Sequence, residues 1–322
     1  MAATATTQAN LIPPYLDGGY SVLKFINDGF LRAMVQLGMT DVRQIGGTSH
    51  QFNILRSGNT SGSATYTEGD PSPAAGNQVW LRGLLGFVNY IITVSQTKTA
   101  RDALGTRYSG VSDDGDEATE AERDLTNLVN VTSLGSGASG LLAAAGTAGN
   151  TYANINRAAI TEWDPNVTAV GGALTLAVME TMAEVLGDAP RGGELGAILA
   201  SPRQCTKYRQ LAGASAVNAN ERLVRIIAGE NGVMKYDPSP ANTGLAFQGV
   251  PVVRIPDLSN SVMVFLCNLA TDWSFVTIRP VEVDADALAR GGDIAKALEI
   301  TTRSTLKCNQ TRRQGALTTL AT

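Results

Sequence analysis

The 322-residue chain has 43% hydrophobic and 17% charged residues, 34 glycines and a formal net charge of −4. Its length predicts one large domain or two modest ones, either of them large enough for a packed core. A weakly acidic chain lacks the dense lysine and arginine of proteins that grip DNA or anionic lipid, so the composition argues against those classes. Low charge and abundant glycine favour a surface that other subunits cover.

Histidine and cysteine are too few and too scattered for metal or thiol chemistry. The single histidine, His50, cannot build a histidine-based zinc site, and no short spacing joins Cys205, Cys267 and Cys308. We therefore predict buried free thiols in a reducing compartment, and no metal site. His50 has no acid nearby in sequence to orient it, and we predict a surface or strand-edge histidine.

The N-terminal sequence MAATATTQANLIPP lacks the basic and apolar regions of a secretory signal. No apolar run reaches the ~18 residues of a membrane span, so we expect a soluble, intracellular chain at synthesis. Residues 1–19 are predicted to form an extended arm. Apolar residues at helical spacing then predict a helix over 20–38 that ends at Gly38.

A polar stretch from Ser57 to Gln78 separates two apolar runs, QFNIL and GFVNYIITV. The second run alternates, with Tyr90 and Ile92 on one face and Ile91 on the other. We predict that the two runs are the strands of a long hairpin that projects from the body. Because an isolated hairpin is marginally stable in water, we expect it to lie on another surface.

The middle of the chain predicts helices. Residues 113–131 begin with six acids and continue with Leu125 and Leu128 at helical spacing, which favours a solvated helix start. The alternative, a cation site, fits poorly because DDGDE lacks the spacing of a calcium loop. Further helices are predicted at 172–186, from Ser201-Pro202 to Leu211, and at 221–228.

From residue 246 the hydrophobic period becomes two. AFQGVPVVRI, SVMVFLCNL and WSFVTIRPVEV are predicted strands. A last long strand is predicted to carry four residues on one face: Leu298, Ile300, Leu306 and Cys308. Mixed helices and antiparallel strands indicate the α+β class.

One motif suggests a nucleotide. Gly135-Ser-Gly-Ala-Ser-Gly140 fits the dinucleotide fingerprint, and Glu162 lies at the distance of a ribose ligand. The preceding segment, however, has a helical pattern, whereas the fingerprint must follow a strand. A nucleotide-binding enzyme using Gly135–Gly140 is therefore kept only as an alternative. No Walker or nucleophile-elbow motif occurs, carboxylates such as Asp284 and Asp286 lack a specifying pattern, and we assign no catalytic or cofactor-binding residue.

Four segments stand in a characteristic order: AILASPRQCTKYRQLAG (197–213), AFQGVPVVRIPDL (246–258), FLCNLATDWSFVTIRPVEV (265–283) and DIAKALEITTRSTLKCNQTRRQGALTTL (293–320). They resemble the major capsid proteins of tailed phages with the Hong Kong 97 fold. Residues 64–105 resemble the extended E-loop of that family and its return into the body. GSGASGLLAAAG (135–146) resembles the glycine-rich segment after the family's spine helix.

The resemblance implies a division of the chain into an N-terminal arm (1–45), an E-loop (46–96), a peripheral domain with the spine helix (97–200 and 281–322) and an axial domain (201–280). It implies a structural protein, not an enzyme, that self-assembles into pentamers and hexamers of an icosahedral phage head around double-stranded DNA. That head would form in the host cytoplasm, without cofactor or membrane, alongside possible scaffolding, portal and decoration proteins. An encapsulin-type nanocompartment shell is the close alternative.

Two pairs of charged residues are the candidate inter-subunit contacts: Glu68 and Asp70 at the hairpin turn, and Arg312 and Arg313 in the tail. Some family members cross-link neighbouring subunits through an E-loop lysine, but no lysine lies between Lys24 and Lys98, and we expect no such bond here. About 45 residues precede the hairpin, so we expect scaffolding to be a separate protein or unnecessary.

Overall fold

The computed structural model describes residues 30–44, 47–57, 79–97, 113–137, 140–188, 192–214, 226–228, 234–236, 245–284 and 295–321. The helices are α1 (Phe30–Gln36), α2 (Asp113–Leu134), α3 (Leu141–Ala145), α4 (Leu176–Gly187), α5 (Pro202–Ala214) and α6 (Leu269–Asp272). The strands of the first half are β1 (Thr40–Arg43), β2 (Ser49–Ser57), β3 (Val79–Gly86), β4 (Val88–Thr97), β5 (Thr151–Tyr152), β6 (Ile155–Asn156) and β7 (Asn166–Ala169). Those of the second half are β8 (Leu195–Ala200), β9 (Ile226–Ala228), β10 (Met234–Tyr236), β11 (Ala246–Phe247), β12 (Val250–Arg254), β13 (Met263–Cys267), β14 (Trp273–Asp284), β15 (Ala295–Cys308) and β16 (Gly315–Thr318).

The first of two larger sheets, called here the long-strand sheet, has the order β1-β14-β15-β4. Its antiparallel core pairs β14 with β15 at nine positions and β15 with β4 at ten. Helix α2 lies on one face, where Leu125 and Val129 pack against Tyr90 and Ile300. The opposite face carries Ile91, which is 54% exposed. Helix α2 therefore covers one face of this sheet, while Ile91 is exposed on the other.

The second larger sheet, called here the central sheet, has the order β11-β12-β8-β13-β16-β7. Strands β8 and β13 lie inside it and are almost wholly apolar, because both faces of the sheet are covered. Ile198 and Phe265 face α4 and α5, whereas Leu199 belongs to the core on the other side. That other core also contains α3, Tyr152 and Trp163. Helices α4 and α5 thus share one face of the central sheet.

Helix ends follow local signals in the sequence. Gly38, at φ +106°, ends α1 in a Schellman motif, in which the Met39 N–H donates to the Met34 carbonyl at 2.9 Å. The Ser201 hydroxyl accepts from the Gln204 N–H and caps α5, as predicted. Helix α4 begins later than predicted, at Leu176, because Thr175 accepts a capping hydrogen bond from Val178. The helices predicted over 20–38, 113–131 and 172–186, and from Ser201-Pro202 to Leu211, are confirmed over their described parts.

The predicted hairpin is wrong in one of its two strands. QFNIL does lie in β2, but its partner is β3 and not the run GFVNYIITV. That run forms β4, which leaves the hairpin after Phe87 and pairs with β15. The predicted alternation along it is correct, and it explains the difference, because Tyr90 is buried under α2 and needs the long-strand sheet beside it.

Two smaller predictions are also corrected. The helix predicted at 221–228 is contradicted at its described end, where Ile226–Ala228 forms β9 and pairs with β10. Two successive isoleucines favour a strand there. In α2, Leu128 is 44% exposed and Val129 takes the buried position instead. The predicted strands after residue 246 are confirmed, as are the buried positions of Ile300 and Cys308.

The predicted domain division stays a prediction. Its boundary after residue 200 falls at the end of β8, whose hydrogen-bonded neighbours β12 and β13 lie beyond that boundary. The predicted thiols are confirmed, since all three cysteines are buried and free. Burial raises the pKa of Cys205 to about 11 and that of Cys267 to about 12, so neither is a thiolate nucleophile at neutral pH.

Candidate inter-subunit surfaces

The base of the β2–β3 hairpin is anchored to the body by one aromatic ring. Phe52 is the cross-strand partner of Gly83. The Phe52 ring fills the space that a side chain at Gly83 would take. The Lys307 ammonium of β15 lies 5.1 Å from the centroid of the same ring. The Leu84 N–H also donates to the Ala153 carbonyl in the β5–β6 turn at 2.8 Å. The direction in which the hairpin leaves the body is therefore fixed.

This packing makes Gly83 sensitive to the smallest substitution. A Cβ at Gly83 would lie 2.7 Å from Cζ of Phe52, so we expect Gly83→Ala to displace the ring and to lower the free energy of unfolding by about 1–3 kcal/mol. Gly86→Ala is the matched control, because a Cβ there meets nothing within 4 Å. Urea denaturation measures both changes. Equal stability of the two variants would contradict the anchoring role.

His50 lies at the same hairpin base and is half-buried, as a strand-edge residue. Its Nδ1 is 2.7 Å from Oε1 of Gln44, and its ring stacks on Phe52 at a centroid distance of 6.3 Å. Burial lowers its pKa below the ordinary value of 6.5, and the positive charge of Lys307 lowers it further. The imidazole is therefore neutral at pH 7.

We expect acid to weaken this hairpin base. As the pH falls through 6.5, the unfolded chain gains a proton on His50 before the folded chain does, so stability decreases until the lowered folded pKa is passed. His50→Gln removes this component. Thermal melting of both proteins between pH 7.5 and 5.5 checks the prediction, which requires the wild type to lose more stability than the variant. Parallel losses would contradict it.

Several large apolar side chains are exposed in the described part of the chain. Trp80 of β3 is 57% exposed, and Val79 beside it is also exposed. On α2, Leu128 and Val131 lie one turn apart on the side away from the long-strand sheet. Exposed tryptophan and paired apolar side chains are enriched at protein–protein interfaces, so these two groups are candidate inter-subunit surfaces.

The four residues predicted as contacts have different positions. Glu68 and Asp70 lie outside the described residues. Arg312 and Arg313 are half-buried in the 3-10 turn Thr311–Arg313, and the Arg313 guanidinium lies 3.5 Å from the buried Asp272 carboxylate. Burial raises the pKa of Asp272, and Arg313 counteracts that rise. Arg313 therefore has an intrachain role, and a contact of either arginine with a neighbouring subunit stays a prediction.

A buried arginine organises the segment after the spine-like helix α2. Arg157 is fully buried, and its guanidinium donates to the carbonyls of Ala143 and Ala144 at 2.6 and 2.8 Å. It also donates to the Thr147 carbonyl at 2.7 Å and lies 3.5 Å from the Asp164 carboxylate. One side chain thus closes the end of α3 and the turn after it, where the sequence shows only small residues.

Two described glycines of this motif, Gly135 and Gly140, have a packing role. Helix α2 precedes it and the five-residue α3 follows it, so the strand–turn–helix context of the fingerprint is absent from this described part of the chain. A Cβ at Gly140 would overlap the Gly135 carbonyl oxygen, which accounts for glycine there. Glu162 lies exposed in the 3-10 turn Thr161–Trp163.

The described residues contain neither a metal-ligating cluster nor a helix able to span a membrane. No cluster of three or more histidine, cysteine or acidic side chains could hold a metal ion in the described ranges. Among the helices of those same ranges, none combines the length and apolarity of a membrane-spanning helix.

Solved structures of phage particles share this fold over nearly the whole chain. The Cyanophage A-1(L) capsid asymmetric unit covers 97% of this chain and 99% of its own, with a TM-score of 0.62 and 16% identity. The capsid structure of Cyanophage P-SCSP1u matches 93% of this chain and 90% of its own, with a TM-score of 0.61 and 9% identity. The capsid of the native GTA particle matches 94% of this chain and 93% of its own, with a TM-score of 0.59 and 12% identity. No protein-family model and no curated protein matches the sequence. The likeness confirms the predicted α+β capsid-type fold.

Sequence reasoning missed the exposed apolar residues, although the pattern contains a signal for them. Trp80 is two residues from the exposed Arg82 and therefore lies on the same face of β3, whereas the buried Leu85 lies on the opposite face. Likewise, Leu128 and Val131 lie four and seven residues after Asp124, and this helical spacing places them on the same side of α2 as that acid. An apolar residue in phase with charged ones predicts an exposed apolar surface.

Proposed function

We propose that this chain is a major capsid protein, a structural building block of a phage head. The observation that carries the proposal is the match in fold over 97% of this chain and 99% of a cyanophage capsid chain. An anchored hairpin with an exposed tryptophan supports it, because such a hairpin gains stability by lying on a neighbouring subunit.

In this proposal, subunits form pentamers and hexamers that tile an icosahedral shell around double-stranded DNA. A net charge of −4 suits a container that encloses DNA without gripping it. The chain has no catalytic role, forms its shell in the host cytoplasm and remains in the virion. Scaffolding, portal and decoration proteins are its possible partners. We favour the phage head over an encapsulin-type shell, since the similar solved structures reported above are phage and GTA capsids.

Sedimentation velocity with negative-stain microscopy tests this function. We expect the purified 33.7-kDa chain to sediment as pentamers, hexamers or closed shells, with shells visible by microscopy. A monomer that forms no larger species over a wide range of concentration and salt would contradict the proposal.

A further inference from the structure

An apolar groove of about 210 Å³ lies between α4 and β7, at one end of the central sheet. Its walls are mostly short apolar or hydroxyl side chains, among them Ala177, Val178, Thr181, Val185 and Leu317. Strand β7 is the last strand in the sheet order, and within the described residues nothing pairs with its outer edge. The groove is thus open to a partner at a sheet edge.

An acidic ridge borders this groove. Glu180 and Glu184 are exposed and one turn apart on α4, and the exposed Asp188 follows the helix at the same spacing. They flank the groove residues Ala177 and Thr181 on the helix surface. Helix α4 carries no lysine or arginine, so the acidic ridge is uniform in sign.

A basic face lies at the other end of the same sheet. Helix α5 packs on β8 and β12 and carries exposed Arg203 and Arg209 but no acid. Arg254 of β12 is also exposed, and it lies with Arg209 near Cys205. These three arginines define the basic face.

The two charged surfaces do not neutralise each other within one subunit. Four strand spacings separate β12 from β7, about 19 Å at roughly 4.8 Å each. Among the described residues, no ion pair joins the acidic ridge to the basic face. Two different, complementary surfaces on one chain make a head-to-tail contact, which closes into a ring when the rotation between copies is right.

We propose that the groove and acidic ridge of one subunit dock on the basic face of the next copy around a capsomer ring. This inference rests on the proposed function. The arginine stems supply apolar surface to the groove while their guanidinium groups meet the carboxylates at its border. Opposite charges at the two ends of one sheet also fix the direction of the ring, since like ends repel.

Charge-reversal variants with a rescue test the contact. Glu180→Lys/Glu184→Lys and Arg203→Glu/Arg209→Glu are each expected to lower the assembled fraction in sedimentation velocity by about tenfold or more. The variant with all four reversals restores complementarity and is expected to assemble again. Asp41→Lys/Glu162→Lys is the control for the glutamate pair, since it makes the same net charge change at exposed acids outside α4 and α5. Glu184→Gln, a milder change, should weaken assembly in the same direction.

The outcomes separate the contact from the proposed function. If the wild type assembles and both two-residue variants assemble equally well, the contact is wrong and the capsid role stands. If the four-residue variant is as dissociated as the two two-residue variants, while circular dichroism shows that it is folded, the contact is also wrong. If the wild type itself never assembles, the proposed function fails first. Recovery in the four-residue variant, with an unaffected control, supports the contact.

Discussion

Replacing Arg157 by alanine is expected to lower the free energy of unfolding by about 3–5 kcal/mol. The guanidinium is fully buried and is hydrogen-bonded to the carbonyls of Ala143, Ala144 and Thr147. Alanine would leave those carbonyls without donors and the Asp164 carboxylate without its cation. Removing one partner of a buried polar network leaves the other partners buried and unpaired. This is more destabilising than replacing the whole network by apolar residues.

Urea denaturation followed by tryptophan fluorescence measures this loss, because Trp163 lies 5.8 Å from Tyr152 in the same core. Arg82→Ala is the matched control, since Arg82 is exposed on β3 and its loss is expected to change stability by no more than about 0.5 kcal/mol. If Arg157→Ala were as stable as the control, the organising role of the buried guanidinium would be wrong. Arg157→Lys keeps the charge but not the fork of donors, and we expect an intermediate loss.

Replacing Trp80 by alanine is expected to do the opposite: to leave the folded subunit intact and to impair assembly. Trp80 is 57% exposed, so its removal should change the free energy of unfolding by only about 0.5 kcal/mol. Buried at an interface, a tryptophan of this kind contributes about 2 kcal/mol or more, which is about 30-fold in association. Because the contact recurs in every subunit, the yield of shells should fall steeply.

Trp163→Ala is the matched control for this prediction. Trp163 is only 3% exposed, and its removal should destabilise the subunit itself by about 3–5 kcal/mol. Unfolding curves and shell yields for the two variants should therefore show opposite patterns. Unchanged shell yield with Trp80→Ala would show that the exposed ring does not face a neighbour in the shell.

Much of the fold could be predicted from local pattern, because the signals are local. Gly38 ends a helix, Ser201 begins one, and alternation along residues 295–308 places Ile300 and Cys308 in the core. Each follows from steric or hydrogen-bonding preferences within a few residues. Buried free cysteines were predictable for the same reason, since their spacing excludes a metal or disulfide framework.

Strand pairing could not be predicted in this way, because it depends on residues distant in sequence. The run 88–97 pairs with 295–304, and nothing within the run distinguishes that partner from β2. Arg157 is a second example, since its acceptors are backbone carbonyls, which carry no sequence signal. Of the candidate contacts, Arg313 illustrates the same limit, because its ion pair with Asp272 joins residues forty-one apart.

A cryo-electron microscopy reconstruction of particles formed by the purified chain tests the capsid role most directly. We expect closed icosahedral shells, with one copy of this fold at every position of five-membered and six-membered rings. In that map the β2–β3 hairpin should lie on the neighbouring subunit, which should cover Trp80. A chain that yields no closed particles, or particles in which the hairpin contacts only its own subunit, would contradict the account.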